Sequence, residues 1–233
     1  MFKSLKIFRI MTVAALGVAA CAPAVEKEPL DTTSRQPVPE WQWSVGAGGE
    51  LKITLPGNSY TLATKISYPN MQPGGWNAIP GKKVTVEKSE DETTVDFKCD
   101  FYSLHRTVER IDQRLVVRDT FLNLTKEDIA IAFDTILTAA NASGSDRILL
   151  AGSVNPSSKP CPDSPASNST IFFAYPKGAL GLVVEDDFGK LQAELQKTAQ
   201  SAIVKNRSFA LAAEDSYTFE YSFYPTGKGD YWD

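Results

Sequence analysis

The stretch 106-RTVERIDQRLVVRDTFLNLTKEDIAIAF-133 decides the fold. Read from four residues earlier, 102-YSLHRTVERI-111 puts Tyr102, Leu104 and Val108 on one face of an extended chain, together with Arg106 and Arg110. Asp112-Gln113 reads as a tight turn. In 114-RLVVRDTFLN-123, Leu115, Val117 and Phe121 share a face, while Arg114, Val116 and Arg118 lie opposite. The next turn runs from Asn123 to Asp128. Thr125 and Asp128 have the spacing of a helix capping box, but the β-branched residues that follow favour a strand. Ile129, Ile131 and Phe133 then run inward. A period of two, interrupted by turn residues, is a β meander. Its charges are expected mostly to point outward from a half-buried sheet, with Arg and Glu or Asp facing each other across strands.

Working outward, the same pattern recurs. The segment 50-ELKITLPGNSYTLATKISYP-69 shows two strands around Pro56-Gly57-Asn58, a strong turn signal. Another hairpin, with an acidic turn, is 83-KVTVEKSEDETTVDFKCD-100, and 170-TIFFAYPKGALGLVVED-186 turns at Pro176-Lys177-Gly178. A last hairpin is 208-SFALAAEDSYTFEYSFYP-225. Trp41 and Trp43 alternate with Gln42 and read as packing residues of a first strand. Strands at this spacing, without helical periods between them, predict an all-β antiparallel sandwich over residues 41–233. The segment 187-DFGKLQAELQKTAQ-200 contains good helix formers. Leu191, Ala193 and Leu195 nevertheless alternate with polar residues, so a strand is expected there too.

The first twenty residues are a separate object. Lys3, Lys6 and Arg9 precede a short apolar run, Ile10 to Ala20, too short to span a bilayer as a helix. This is the layout of an export signal. Its end, Val18-Ala19-Ala20-Cys21, resembles a bacterial lipobox, which implies that Cys21 is lipidated and becomes the new N-terminus. An ordinary signal-peptidase site beside a cysteine is the alternative. Ala22 rather than Asp follows the cysteine, which resembles outer-membrane sorting in a cell with two membranes. Residues 21–40 carry Pro23, Pro29, Pro37 and Pro39 and little to bury, so they read as an extended tether.

Composition narrows the function. The chain has 233 residues, 42% hydrophobic and 22% charged, with a formal net charge of −4. That is ordinary for a globular protein and lacks the basic footprint of a nucleic-acid binder. With Cys21 assigned to lipid, Cys99 and Cys161 remain, and an oxidising compartment favours their pairing. Such a bridge would close a loop of about sixty residues, worth about 4 kcal/mol in the chain-entropy account. The sequence equally allows two unrelated thiols. Neither a CxxC motif nor a histidine cluster is present, so no metal is expected. Gly46-Ala-Gly-Gly49 lacks the lysine and helix of a phosphate loop, and no G-x-S-x-G elbow occurs. No cofactor is expected. Asp186-Asp187 and Asp91-Glu92 read as solvated turn acids.

The phrases 102-YSLHRTVERIDQRLVVRDTFLNLTKEDIAI-131, 181-GLVVEDD-187 and 216-SYTFEYSFYPTGKGDYWD-233 together resemble the galactose-mutarotase-like β-supersandwich of large glycoside-hydrolase-like proteins. There the domain precedes a (β/α)8 barrel, and the resemblance implies that the catalytic carboxylates belong to that barrel. The expectation is a membrane-anchored lipoprotein with a non-catalytic sandwich that binds carbohydrate or assists a glycan-processing enzyme. A fragment of a glycoside hydrolase or sugar epimerase, and a structural envelope lipoprotein, stay open as alternatives. A mutarotase needs a general acid and base about a sugar ring. The single histidine, His105, sits in a strand and is a candidate for ligand contact only. The main binding candidate is the loop 68-YPNMQPGGWNAIPG-81, where Tyr68 and Trp76 offer flat apolar faces and Asn77 offers an amide to sugar hydroxyls; the alternative is that Trp76 plugs one end of the sandwich.

Overall fold

The alternation read from the sequence becomes two antiparallel sheets. A computed structural model describes residues 39–69, 83–89, 92–141, 147–151, 168–227 and 229. The strands are β1 (Gln42–Val45), β2 (Leu51–Leu55), β3 (Asn58–Ile66), β4 (Lys83–Lys88), β5 (Glu92–Lys98), β6 (Tyr102–Ile111), β7 (Arg114–Asn123) and β8 (Ile129–Ala139). After these come β9 (Ile148–Leu150), β10 (Thr170–Phe173), β11 (Ala179–Val184), β12 (Glu194–Lys197), β13 (Ser201–Leu211) and β14 (Ser216–Thr226), with one short helix, α1 (Asp187–Gln192), before β12. One sheet has the order β1-β2-β3-β8-β13-β12 and the other β4-β5-β6-β7-β14-β11-β10-β9. This is the expected all-β antiparallel sandwich.

Side-chain period decides which face is buried. β2 alternates buried and exposed along LKITL, and β3 buries Tyr60, Leu62 and Ile66. The middle of the core is aromatic. Phe121 of β7, Phe133 of β8, Phe209 of β13 and Phe219 of β14 come from the central strands of both sheets. Their ring centroids lie 5.2 Å apart for Phe121–Phe133, 4.8 Å for Phe133–Phe219 and 4.9 Å for Phe209–Phe219. Tilted and edge-on contacts of this kind add to the area they bury. A register shift between Asn206 and Phe209 bends β13 against β8.

Two turns pack on each other at one end. Gly57 has φ +92°, and a Cβ there would come within 2.9 Å of the Lys177 Cβ. Gly178 has φ +67°, and a Cβ there would meet the Pro56 carbonyl oxygen at 2.8 Å. Only glycine suits both the positive φ and the close approach. The Tyr60 hydroxyl donates to the Gly178 carbonyl at 2.7 Å, joining the β2–β3 hairpin to the turn before β11.

Two expectations change. The segment 187–200 is helix first and strand second. The Asp186 carboxylate accepts from the Gly189 amide at 2.6 Å and caps α1, so the alternation becomes a strand only from Glu194. Asp186 is therefore no free turn acid, since it also accepts from the Tyr217 hydroxyl and the Glu220 amide.

The meander's mostly outward charges include one inward pair. Arg106 and Asp119 point inward, and the two residues are 4% and 0% exposed. Arg106 donates through Nε to Asp119 Oδ1 and through Nη2 to Asp119 Oδ2, each at 2.6 Å. The same Nη2 reaches Thr64 Oγ1 on β3 at 2.6 Å, so the pair bridges the two sheets. Burial alone would lower the Arg106 pKa. The charge of Asp119 and its hydrogen bonds outweigh that and raise it.

Candidate functional site

Of the residues singled out in the sequence, Tyr68, Cys99 and His105 are described. Cys21, Trp76, Asn77 and Cys161 lie outside the described residues. Tyr68, just past β3, is half-buried against the core, with its ring 4.8 Å from that of Phe101. His105 is on the opposite side of the layer, exposed on the outer face of β6, with Nδ1 hydrogen-bonded to Asp96 Oδ1 at 2.8 Å. Tyr68 and His105 share no hydrogen bond or ring contact. Cys99 is buried, and its thiol donates to the Tyr102 carbonyl at 3.3 Å.

A different cluster emerges on the outer face of the eight-stranded sheet. The register places Glu109 opposite Val116, and Val116 opposite Ser222, in one row across β6, β7 and β14. The next row aligns Thr107, Arg118 and Glu220. Arg118 is held from both sides: its Nη1 donates to Glu109 Oε1, and its Nε donates to Glu220 Oε2 at 2.7 Å. Arg114 Nη1 donates to Ser222 Oγ at 3.3 Å and to the Tyr224 hydroxyl at 3.1 Å, and lies 3.5 Å from Glu185 Oε1. Tyr224 in turn donates to Glu185 Oε1 at 3.2 Å. Beneath these long side chains Val116 and Ser222 are fully buried, although they face outward.

The electrostatics follow from these contacts. The hydrogen bond to Tyr224 raises the Arg114 pKa, and the hydrogen bond to Glu109 does the same for Arg118. Both guanidinium groups stay charged at any ordinary pH. Tyr224 keeps 37% of its surface exposed. Farther along the same face, Thr120 and Thr218 pair their hydroxyls at 2.8 Å, next to His105 in the register. The arrangement offers planar hydrogen-bonding groups beside one exposed aromatic ring. That combination can hold hydroxyl-rich molecules. Among the described residues no three His, Cys, Asp or Glu side chains converge as a metal site.

Sequence reasoning named Arg114 and Arg118 as outward-facing but missed the cluster. Their partners Glu185, Glu220 and Tyr224 come from far along the chain, through the pairing of β14 with both β7 and β11. The usable signal was 216-SYTFEYSFYP-225, whose Glu220, Ser222 and Tyr224 share one parity with Thr218.

By class this is an antiparallel β-sandwich with a polar cluster on one outer face. No protein-family model matches the chain, and no curated protein matches it. Among solved structures it is similar to a mutant of the heparan sulfate lyase HepC from Pedobacter heparinus, with 9% identity and a TM-score of 0.38. That match covers 63% of this chain and 22% of the lyase, so the chain spans under a quarter of the lyase's length. It is also similar to the Slr1438 protein of Synechocystis sp. PCC 6803, with 10% identity, a TM-score of 0.46, and 82% and 93% of the two chains covered. A third structure is a candidate aldose 1-epimerase from Escherichia coli K12, with 11% identity, a TM-score of 0.38, and 79% and 81% covered.

Proposed function

We propose that this chain is a membrane-anchored lipoprotein whose β-sandwich binds glycan without turning it over, alone or beside a glycan-processing enzyme. The observation that carries the reading is the outer-face cluster of Arg114, Arg118, Glu109, Glu185, Glu220 and Tyr224. Glycan recognition needs directional acceptors and donors for hydroxyls and a flat apolar surface for the C–H face of the ring, and these residues supply both. The phrases resembling a galactose-mutarotase-like supersandwich support the same assignment. The lipobox-like Val18-Ala19-Ala20-Cys21 supports an anchor in the outer membrane, with residues 21–40 as the spacer. More than one acyl chain is needed for durable attachment, which lipidation at Cys21 would supply.

The epimerase reading is the rival. His105 is oriented by Asp96 on the same outer face, as a general base would be.

One set of experiments addresses all of this. Protein extracted from membranes is expected to carry a diacylglycerol or larger mass at Cys21, lost in Cys21→Ser. On a glycan array the protein is expected to bind, and Tyr224→Ala to abolish binding. Trp76→Ala is expected to abolish it instead if the 68–81 loop is the platform. An anomer-exchange assay is expected to show no turnover. Measurable exchange that disappears in His105→Ala would establish the rival, and an array without any bound glycan would remove the binding reading.

A further inference from the structure

The outer-face cluster contains its own indication of ligand charge, an inference that rests on the glycan-binding reading above. An arginine that recognises a ligand carboxylate or sulfate needs a free edge of its guanidinium fork, because the strength and geometry of such recognition come from two parallel N–H bonds. The two arginines differ in how much of the fork is taken. Arg118 spends Nε on Glu220 and Nη1 on Glu109, so two different edges are occupied by glutamates of the same sheet. Arg114 spends only Nη1, on the neutral hydroxyls of Ser222 and Tyr224, with Glu185 Oε1 3.5 Å from that same nitrogen. Three carboxylates thus surround two guanidinium groups, and the cluster carries net negative charge.

The neighbouring strands do not reverse that balance. Asp96 and Glu92 on β5 share the outward parity, as register partners of His105 and Glu109. The outward lysines of β4 and β5, Lys83 and Lys98, pair with each other at the far end, on the row of Ser103 and Leu122. A uronate or sulfate arriving at Arg118 would meet Glu109 and Glu220 before it met an unoccupied donor. A neutral sugar hydroxyl meets the opposite situation, since each carboxylate retains lone pairs that accept from O–H groups. Tyr224 lies beside them with its ring partly in solvent.

We propose that Glu109, Glu185 and Glu220 are selectivity residues that favour uncharged, hydroxyl-rich glycans on this face, Glu109 and Glu220 by occupying the guanidinium edges of Arg118 and Glu185 by setting a third carboxylate beside Arg114. The cluster is a filter made of the same atoms that form the site. It discriminates by repulsion as well as by attraction.

The test uses the mature protein and three pairs of probes: cello-, malto- and galacto-oligosaccharides, each against its uronate counterpart of equal length, titrated at low and high salt. Wild type is expected to bind a neutral member at least about tenfold more tightly than its uronate, with the gap narrowing as salt screens the repulsion. In Glu109→Gln/Glu220→Gln the shape of the site is kept and the two negative charges at Arg118 are removed. The ratio of uronate to neutral affinity is then expected to rise about tenfold or more, as a ligand carboxylate can displace the neutral amides from the guanidinium. Glu185→Gln removes the third carboxylate, beside Arg114, as a second and independent test, and thermal melting of each variant verifies that it is folded. A wild type that prefers the uronate overturns the proposal and leaves the glycan reading standing. So does a pair of folded variants whose ratio stays unchanged. A wild type that binds neither member of any pair overturns both.

Discussion

Arg118 and Asp119 are adjacent in the chain and opposite in environment. Arg118 points out, 36% exposed at its side chain, and shares two glutamates with solvent. Asp119 points in, fully buried, and faces a single arginine between the two sheets. The chemistry is the same, a guanidinium with carboxylate, and one step along a strand moves it between two dielectric regimes. In the interior a lone charge has nothing to replace its lost hydration, so the pair stands or falls as a unit. On the surface water replaces whichever partner leaves. The sealed pair therefore constrains the fold, and the open cluster is free to meet a ligand.

The largest expected effect breaks the sealed side. Asp119→Ala leaves Arg106 buried with only Thr64 Oγ1 as a partner, and it is expected to lower unfolding free energy by about 3–5 kcal/mol. Chemical denaturation of wild type and variant measures this directly. A loss below about 1 kcal/mol would mean that water reaches Arg106 and that the two pairs do not differ in kind.

This contrast also marks what could be read from the sequence. The hairpins were legible because turn residues and period two coincide, as in Leu51–Leu55 turning through Pro56-Gly57 into Asn58–Ile66. The buried pair was legible in principle. Once Asp112-Gln113 is the turn, Ile111 faces Arg114, and each step back along β6 meets a step forward along β7, which sets Arg106 opposite Asp119. The parity placing Arg106 with Tyr102, Leu104 and Val108 pointed the same way. What misled was the general rule that charges face water, which fails where two opposite charges share an inward register position. The helix at Asp187–Gln192 was hidden because one residue, Asp186, decides it through a cap, whereas alternation is a property of the whole segment. The outer cluster was not legible as a cluster. Its carboxylates arrive from β6, β14 and the end of β11, and only the strand order brings them to Arg114 and Arg118.

The second prediction extends the comparison to protons. Burial, then the hydrogen bond to Asp186, pushes the Tyr217 hydroxyl up to about 12. Burial raises Tyr60, Tyr102 and Tyr221 further still. In the unfolded chain these groups titrate near the ordinary value of about 10. Above that pH the unfolded state binds fewer protons than the folded state, so the stability they contribute is complete below about pH 10 and declines as pH rises through the folded values. Urea midpoints are expected to hold between pH 7 and 9 and to fall toward pH 11, with a shallower fall in Tyr217→Phe. A midpoint that is flat up to pH 11 would show that water enters the layer where these tyrosines sit.

The smallest effect is expected on the open side, and its smallness is informative. Arg118 makes two ion pairs and so looks like the stronger brace. Each of its partners is still about one-third exposed, at 28% for Glu109 and 31% for Glu220. Exposed pairs return little, because holding long side chains costs entropy and water screens the charges. Arg118→Ala is therefore expected to cost under about 1 kcal/mol, and a double-mutant cycle with Glu109→Gln to give a coupling of about 0.5 kcal/mol or less that fades in salt. Three residues held together at so little gain in stability can rearrange around an incoming sugar without threatening the sandwich. A loss of 2 kcal/mol or more, insensitive to salt, would instead make Arg118 a strut of the sheet, with Val116 and Ser222 sealed beneath it. In that case the outer face would be a second, shallower version of the Arg106–Asp119 lock, and a ligand would have to bind elsewhere.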